Sequence, residues 1–319
     1  MNWIVGNQDY YCADYLKGMV MTFPNKWRLL LEERNSAALA RVSPPQNRPA
    51  LIISGGGANG PMFPGYVGEG LADAAVIGGP YSAPTAYALY ETARQLDCGH
   101  GVLLLYNNFA GDYLNNDMAQ ELLEMIGICS VSVIVKDDIA SAVGEDREER
   151  SGRTGLTLLT KLAASCLEKG YSLTDTVQML ERAKKGLATI SIRVDVPTGM
   201  VYYGEGISGE PGIKASKESG LEAAAKTALD MLLHDLQPER DASFFLLVNR
   251  MRSTSYSDSY AMARHSVIYL KNIYDIWRAR TGCYSNITDG YGFDLTLLTL
   301  NDEMKGLLEK DIQTDCFII

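Results

Sequence analysis

Histidine is scarce in this chain, with three in 319 residues, His100, His234 and His265. His100 falls in a turn before an apolar run. His234 lies near the end of a helical pattern, where a cation suits the dipole, and His265 lies within another such pattern. None falls in a glycine-rich loop, so a Ser-His-Asp or Cys-His device has no histidine placed to serve it. The six cysteines, at 12, 98, 129, 166, 283 and 316, are dispersed. They form no CxxC and meet no histidine at ligand spacing, which removes the local metal motifs. Scattered thiols of this kind read as small buried residues of a reducing compartment. Basic charge is short as well: 29 Lys and Arg stand against 39 Asp and Glu, a net charge of −10, with no run of cations. That balance disfavours nucleic acid and anionic membrane as partners. Apolar runs such as Phe244 to Val248 are far shorter than the ~20 residues of a spanning helix. Residues 1–11 carry neither a basic nor an apolar signal-type segment. A soluble cytoplasmic protein is expected.

What is present is a globular composition, 46% hydrophobic and 21% charged, in a chain long enough for two domains at ~150 residues each. Strand-length apolar runs alternate with segments of helical period, the mark of an α/β protein. Strands are expected at 50–53, 102–106, 128–135, 187–194, 243–249, 283–287 and 293–300. Helices are expected at 116–126, 154–169, 174–185, 217–236, 258–280 and 302–309. Glycines and prolines from 197 to 212 break regular structure. The alternation restarts after Gly186, which places a domain boundary there, giving domains 1–186 and 187–319.

Gly55-Gly56-Gly57-Ala58-Asn59-Gly60 matches GxGxxG after a strand. The dinucleotide fingerprint needs a helix to open at its third glycine, and Pro61, Pro64 and further glycines forbid one here. No GxxxxGK[ST] is present either, so the loop is not a P-loop. Bare backbone N–H groups of such a loop can approach a small polar ligand or a phosphate, and tight turns packed on a sheet explain it equally well. Asp112 stands near the end of a buried strand, where open α/β sheets place their ligands. Capping the next helix is the competing role.

Four ordered motifs resemble the substrate-binding subunits of dihydroxyacetone kinases. They are Ser54-Gly55-Gly56-Gly57 with Pro61-Met62 and Gly65 to Gly70, Gly101 to Leu105 through Gly111 to Asn115, Gly204 to Ile213, and Thr288 to Phe293 with Leu297-Leu298. Together they span nearly the whole chain. The resemblance implies two α/β domains, a homodimer, and a small ketose or polyol held by the glycine, aspartate and GEPG loops. It also implies a separate nucleotide-carrying subunit, a fused domain in its place, or a regulator as partner. No cofactor is implied on this chain; ATP or ADP with magnesium would sit on a partner subunit. In that family a histidine of the GEPG signature binds the substrate carbonyl covalently. A second histidine and the loop aspartate assist proton transfer.

Here Ser208 holds the place of the covalent histidine, and Asn59 best fits the second. Asn107 stands where the family has a lysine, and Arg250-Met251-Arg252 replace a glycine-containing loop. Asp112 alone remains of the catalytic set. The substrate-binding residues so implied are Gly56, Gly57, Asn59, Asn107, Asp112 and Ser208. A serine cannot form the hemiaminal nitrogen bond, and an asparagine cannot shuttle a proton near neutral pH. Three readings follow. The first is a non-covalent ketose- or polyol-binding paralogue with a regulatory or much reduced phosphotransfer role. The second is a phosphotransferase subunit for a different substrate with Asp112 as base. The third is a non-binding structural partner of an active paralogue.

Overall fold

The computed structural model describes residues 10–142, 146–207, 209, 211–286 and 290–319. The chain divides into two compact units, Met1–Ile134 with Thr160–Leu180, and Val135–Leu159 with Glu181–Ile319.

The first unit is built from α1 (Tyr11–Thr22), β1 (Trp27–Glu33), β2 (Ser36–Arg41), β3 (Ala50–Gly56), β4 (Ala74–Gly78), α2 (Ala86–Leu96), β5 (Val102–Asn107), α3 (Ala110–Met125) and most of β6 (Ser130–Val135). Its six-stranded sheet runs in the order β1-β2-β4-β3-β5-β6. β2 is antiparallel to β1 and β4, whereas β3 lies parallel to β4 and β5. Central strands of such a sheet are covered on both faces and read as unbroken apolar runs. Leu51, Ile52 and Ile53 of β3 and Val102 to Tyr106 of β5 are accordingly buried. β2 and β4 escape this signal because alanine, a poor strand former, fills them. Their Ala38, Ala40, Ala74 and Val76 pack with Leu89, Leu96, Leu104 and Leu123 in one core. The side chain of Thr85 caps α2 by accepting from the Ala88 amide at 3.1 Å.

Two helices, α4 (Gly155–Glu168) and α5 (Leu173–Lys185), follow. They match the expected pair to within a residue at each end. The chain passes between the units within β6, α4 and α5. The last of these passages lies shortly before Gly186, where sequence alternation suggests a single boundary.

The second unit holds β7 (Leu187–Asp195), β8 (Met200–Glu205), β9 (Pro211–Lys217), α6 (Leu221–Leu236), β10 (Ser243–Arg250), α7 (Tyr256–Lys271), β11 (Asp275–Gly282), β12 (Tyr291–Leu300) and α8 (Asp302–Leu308). Its sheet order is β11-β10-β12-β7-β8-β9, with β10 and β11 parallel and the other pairs antiparallel. Two expectations are corrected here. The 197–212 stretch is not irregular throughout, because β8 and β9 pair across it. Gly204 and Gly212 serve that pairing at φ +77° and +79°, and the register shifts between Tyr203 and Glu205. They allow a bulge, not a break. The helix expected over 258–280 stops at Lys271, and its second half is the edge strand β11, which displaces the strand expected at 283–287. Residues 283–286 carry no regular structure, and Ile287 lies outside the described residues. Parallel pairing with β10 draws Ile276 and Ala279 against the core and overrides a helical pattern.

A polar cluster is sealed inside this unit. Arg153, fully buried, donates to Asp138 at 2.6 Å and to Asp294 at 2.7 Å. Asp294 also accepts from Thr154 and Asn249, and Asn249 accepts from the amides of Tyr284 and Ser285. Asp137 takes the Arg153 and Gly155 amides at 2.6 and 2.8 Å. Burial raises its pKa to about 6, opposed by hydrogen bonds from Thr189 and these two amides.

Candidate functional site

In the first unit the connection after β3 leads to β4 on one side, and the connection after β5 leads through α3 to β6 on the other. A reversal of this kind opens a crevice at the carboxyl ends of adjacent parallel strands. Ser54 pairs with Tyr106, so Gly56 and Asn107 leave the sheet side by side. Three loops meet there. The amides of Gly57 and Ala58 donate to the carbonyls of Gly79 and Pro80 at 3.0 and 3.1 Å. Asn115 on α3 donates to the Pro84 carbonyl at 2.7 Å, and a Cβ on Gly111 would lie 3.2 Å from that of Ala83.

The helix expected from residue 116 begins at Ala110 instead, with Phe109 as its cap residue. Asn115 and Asn116 conceal this start, because asparagine competes with the helical backbone. Both find partners elsewhere. Asn116 donates through Nδ2 to Ser54 Oγ at 3.3 Å and to the Asp112 carbonyl at 2.9 Å. Asp112 therefore sits in the first turn of α3, not at its cap, which removes the competing role. Its Oδ1 is buried with no hydrogen-bond partner among the described residues. Burial alone pushes its pKa up to about 7. Asn107 Oδ1 and Asn116 Oδ1 are likewise buried and unpartnered. Among the described residues the Asn107 side chain reaches only Met62 Sδ, 3.7 Å from its Nδ2. Buried polar atoms are almost always paired in folded proteins. Three buried acceptors without a partner among the described residues, on β5 and the first two turns of α3, are atoms that donors from outside the chain would satisfy.

The glycine loop divides its labour. A Cβ on Gly57 would lie 2.8 Å from the Gly78 carbonyl, and one on Gly55 2.1 Å from the Phe63 ring. These two glycines are demanded by packing, and the Gly57 N–H is spent on Gly79. Gly56 is different. It is half-buried, and a Cβ there would make only ordinary contacts, the nearest side chain being Asn59 at 3.6 Å. Phe63, fully buried, holds φ +72° and ψ −82°, a strained backbone beside the crevice.

The structure thus gathers Gly56, Gly57, Asn59, Asn107 and Asp112 at one edge of the first unit. The Asn59 carbonyl accepts from Met62, whose sulfur faces Asn107. Ser208 belongs to the connection between β8 and β9 and lies outside the described residues, as do Glu210, Thr288 and Asp289 of the other motifs. Sequence reading missed Ser54 and Asn116; a pair of asparagines in the middle of a helix was the available signal. His100 and His234 are exposed, and His265 Nδ1 lies 3.9 Å from Glu222. Among the described residues no group of three His, Cys, Asp or Glu side chains gathers to hold a metal, and no helix is long and apolar enough to cross a membrane.

An open α/β unit with a polar crevice at its strand ends, joined to a second mixed-sheet unit, is the class the geometry defines. Residues 17–316 match the Dak1 domain, and the chain belongs to that family. It is 28% identical over 98% of its length to the PTS-dependent dihydroxyacetone kinase 2, dihydroxyacetone-binding subunit DhaK of Listeria innocua, covering 98% of that protein. It is 27% identical over 99% of its length to the L-erythrulose 1-kinase of Mycolicibacterium smegmatis, of which it spans 58%. A structure solved for the regulation of the dha operon of Lactococcus lactis superposes with a TM-score of 0.85 at 25% identity, covering 95% of this chain and 94% of that one.

Proposed function

We propose that this chain is a dihydroxyacetone kinase-like binding subunit that holds a small ketose or polyol in the crevice of its first unit by hydrogen bonds alone. The observation that carries the reading is the trio of buried, unpartnered oxygens on Asn107, Asp112 and Asn116. Hydroxyl groups are the donors that suit them, and a polyhydroxylated chain of three or four carbons presents several at once. Ser208 replaces the family's covalent histidine, and serine without an adjacent base is a poor nucleophile. Affinity then rests on a few hydrogen bonds of ~0.5–1.5 kcal/mol each.

The leading role is regulatory, with occupancy of the crevice reported to a partner. The Lactococcus lactis relative named for operon regulation supports it. A second role draws on Asp112 itself. A carboxylate whose pKa lies at about 7 can take a hydroxyl proton and return it near neutral pH. That suits phosphotransfer to a polyol with nucleotide and magnesium supplied by a separate subunit, and the erythrulose kinase relative favours it. The chain acts as a homodimer in either role.

Thermal-shift titrations with dihydroxyacetone, erythrulose, glycerol and their phosphates test the proposal, because a ligand that binds only the folded state raises its stability. At least one of these is expected to raise the melting temperature of the parent and not that of Asp112→Asn. An equal rise in both, or none with any compound, overturns it. Continuous density from a side chain to the carbonyl carbon of soaked dihydroxyacetone overturns the non-covalent mode.

A further inference from the structure

A second cavity lies in the other unit, between the outer face of α7, the edge strand β11 and the 311–318 segment, with a volume of about 660 Å³. Pockets of this size accommodate small organic molecules. Its charge is out of keeping with the rest of the chain. Three arginines, Arg250, Arg264 and Arg280, line it against one acid, Asp311, in a protein of net charge −10. That acid is already engaged: Arg280 grips both its oxygens at 2.6 Å, and Arg278 reaches it at 3.0 Å. Arg264 makes no hydrogen bond or ion pair with any described residue. Among the described residues, Arg250 donates from its side chain only to the Thr254 carbonyl at 3.2 Å, and its buried Nε has no partner. Two guanidinium groups at the cavity wall therefore have no acidic partner among the described residues.

The rest of the wall is aromatic and aliphatic. Tyr256 and Tyr260 lie with ring centroids 5.3 Å apart, and the Arg250 guanidinium sits 5.8 Å from the Tyr256 ring. Ile268 and Ile318, both 48% exposed, border it. Phe317 is held there by the Tyr284 ring at 5.1 Å, and the Tyr284 hydroxyl donates to the Ile318 carbonyl at 3.0 Å. This wall is therefore anchored to the end of β11. Planar guanidinium forks match carboxylate and phosphate oxygens in pairs, and a tyrosine pair with aliphatic neighbours matches a flat apolar body.

We infer that this cavity is a binding site for a small organic anion, with a carboxylate or phosphate head on Arg250 and Arg264 and an apolar or aromatic body against Tyr256, Tyr260 and Phe317. It is separate from the polyol crevice in residues and in the chemistry it selects.

Calorimetric titration of the full chain with phenyl phosphate, phenylacetate and benzyl alcohol, which share a ring and differ in the head, tests it. Saturable binding of phenyl phosphate or phenylacetate is expected, at least tenfold tighter than benzyl alcohol, and the tighter of the two anions identifies the head. Arg264→Gln, an exposed position that leaves the core intact, should weaken that binding at least tenfold, and Tyr260→Ala severalfold. Asp112→Asn should bind as the parent does. Failure of both anions to bind overturns the inference. So does equal binding of benzyl alcohol, indifference to Arg264→Gln, or loss of binding in Asp112→Asn.

Discussion

Replacing Asp112 by asparagine should make the protein more stable, and more so as the pH rises. The carboxylate is 6% exposed, its Oδ1 has no partner, and burial lifts its pKa from 3.8 to about 7. An acid whose folded pKa is raised binds its proton more tightly in the native state, so stability falls with rising pH between the two values. Below about pH 4 both states are protonated and the residue costs nothing. Through the window from pH 4 to 7 the cost grows by ~1.4 kcal/mol per pH unit, and above pH 7 it is constant. The full shift corresponds to roughly 4 kcal/mol; the positive end of the α3 dipole and any water in the crevice reduce what is measured to about 2–4 kcal/mol. Asparagine has the same shape and no charge to desolvate. At roughly 2 °C per kcal/mol in a chain of this size, Asp112→Asn should melt about 4–8 °C higher than the parent at pH 8. The gap should narrow to a few degrees at pH 5 and close below pH 4. Differential scanning fluorimetry across pH 3.5–8.5 without ligand reads this directly. Equal melting temperatures at pH 8, or a gap that does not narrow on acidification, would show that the carboxylate is solvated or paired and that the crevice is not poised to receive a donor.

Two further substitutions probe the framework. Arg153→Met should cost ~3–5 kcal/mol in urea denaturation, because it leaves Asp138 and Asp294 buried without their common partner; a loss under 1 kcal/mol would mean that these carboxylates are protonated or reached by water. Gly55→Ala should cost ~1–3 kcal/mol by driving a methyl group into the buried Phe63 ring, whereas Gly68→Ala, with nothing within 4 Å of the added carbon, should stay close to the parent; similar melting temperatures for the two variants would show that the Phe63 ring yields freely.

The strands buried on both faces were legible because leucine, valine and aromatic residues fill them, as in β5 and β10. β2 and β4 were not, since their alanines carry no strand preference and become strand only by pairing with β1 and β3. β11 was read as helix because Tyr274, Trp277 and the arginines between 275 and 282 fit either period, and only its parallel partner decides. At the site, Asp112 was visible from its place after an apolar run. Its solitude was not, because a missing hydrogen bond is a property of three-dimensional surroundings. Asn116 was hidden for the same reason, its value lying in Ser54, which is 62 residues away in sequence. The arginine-lined cavity joins residues from 250 to 318, a span that no local pattern announces.

The passage of the chain between its two units within β6, α4 and α5 bears on how such a protein can be divided or recombined. A contiguous fragment ending at Ile134 would lack residues 160–180, whose Leu162, Ala163, Cys166, Leu167, Met179 and Leu180 are buried in the whole chain. A fragment beginning at Val135 would carry those same side chains without the remainder of their unit. No single crossover between two related genes can exchange one unit intact, because each is assembled from two stretches of sequence.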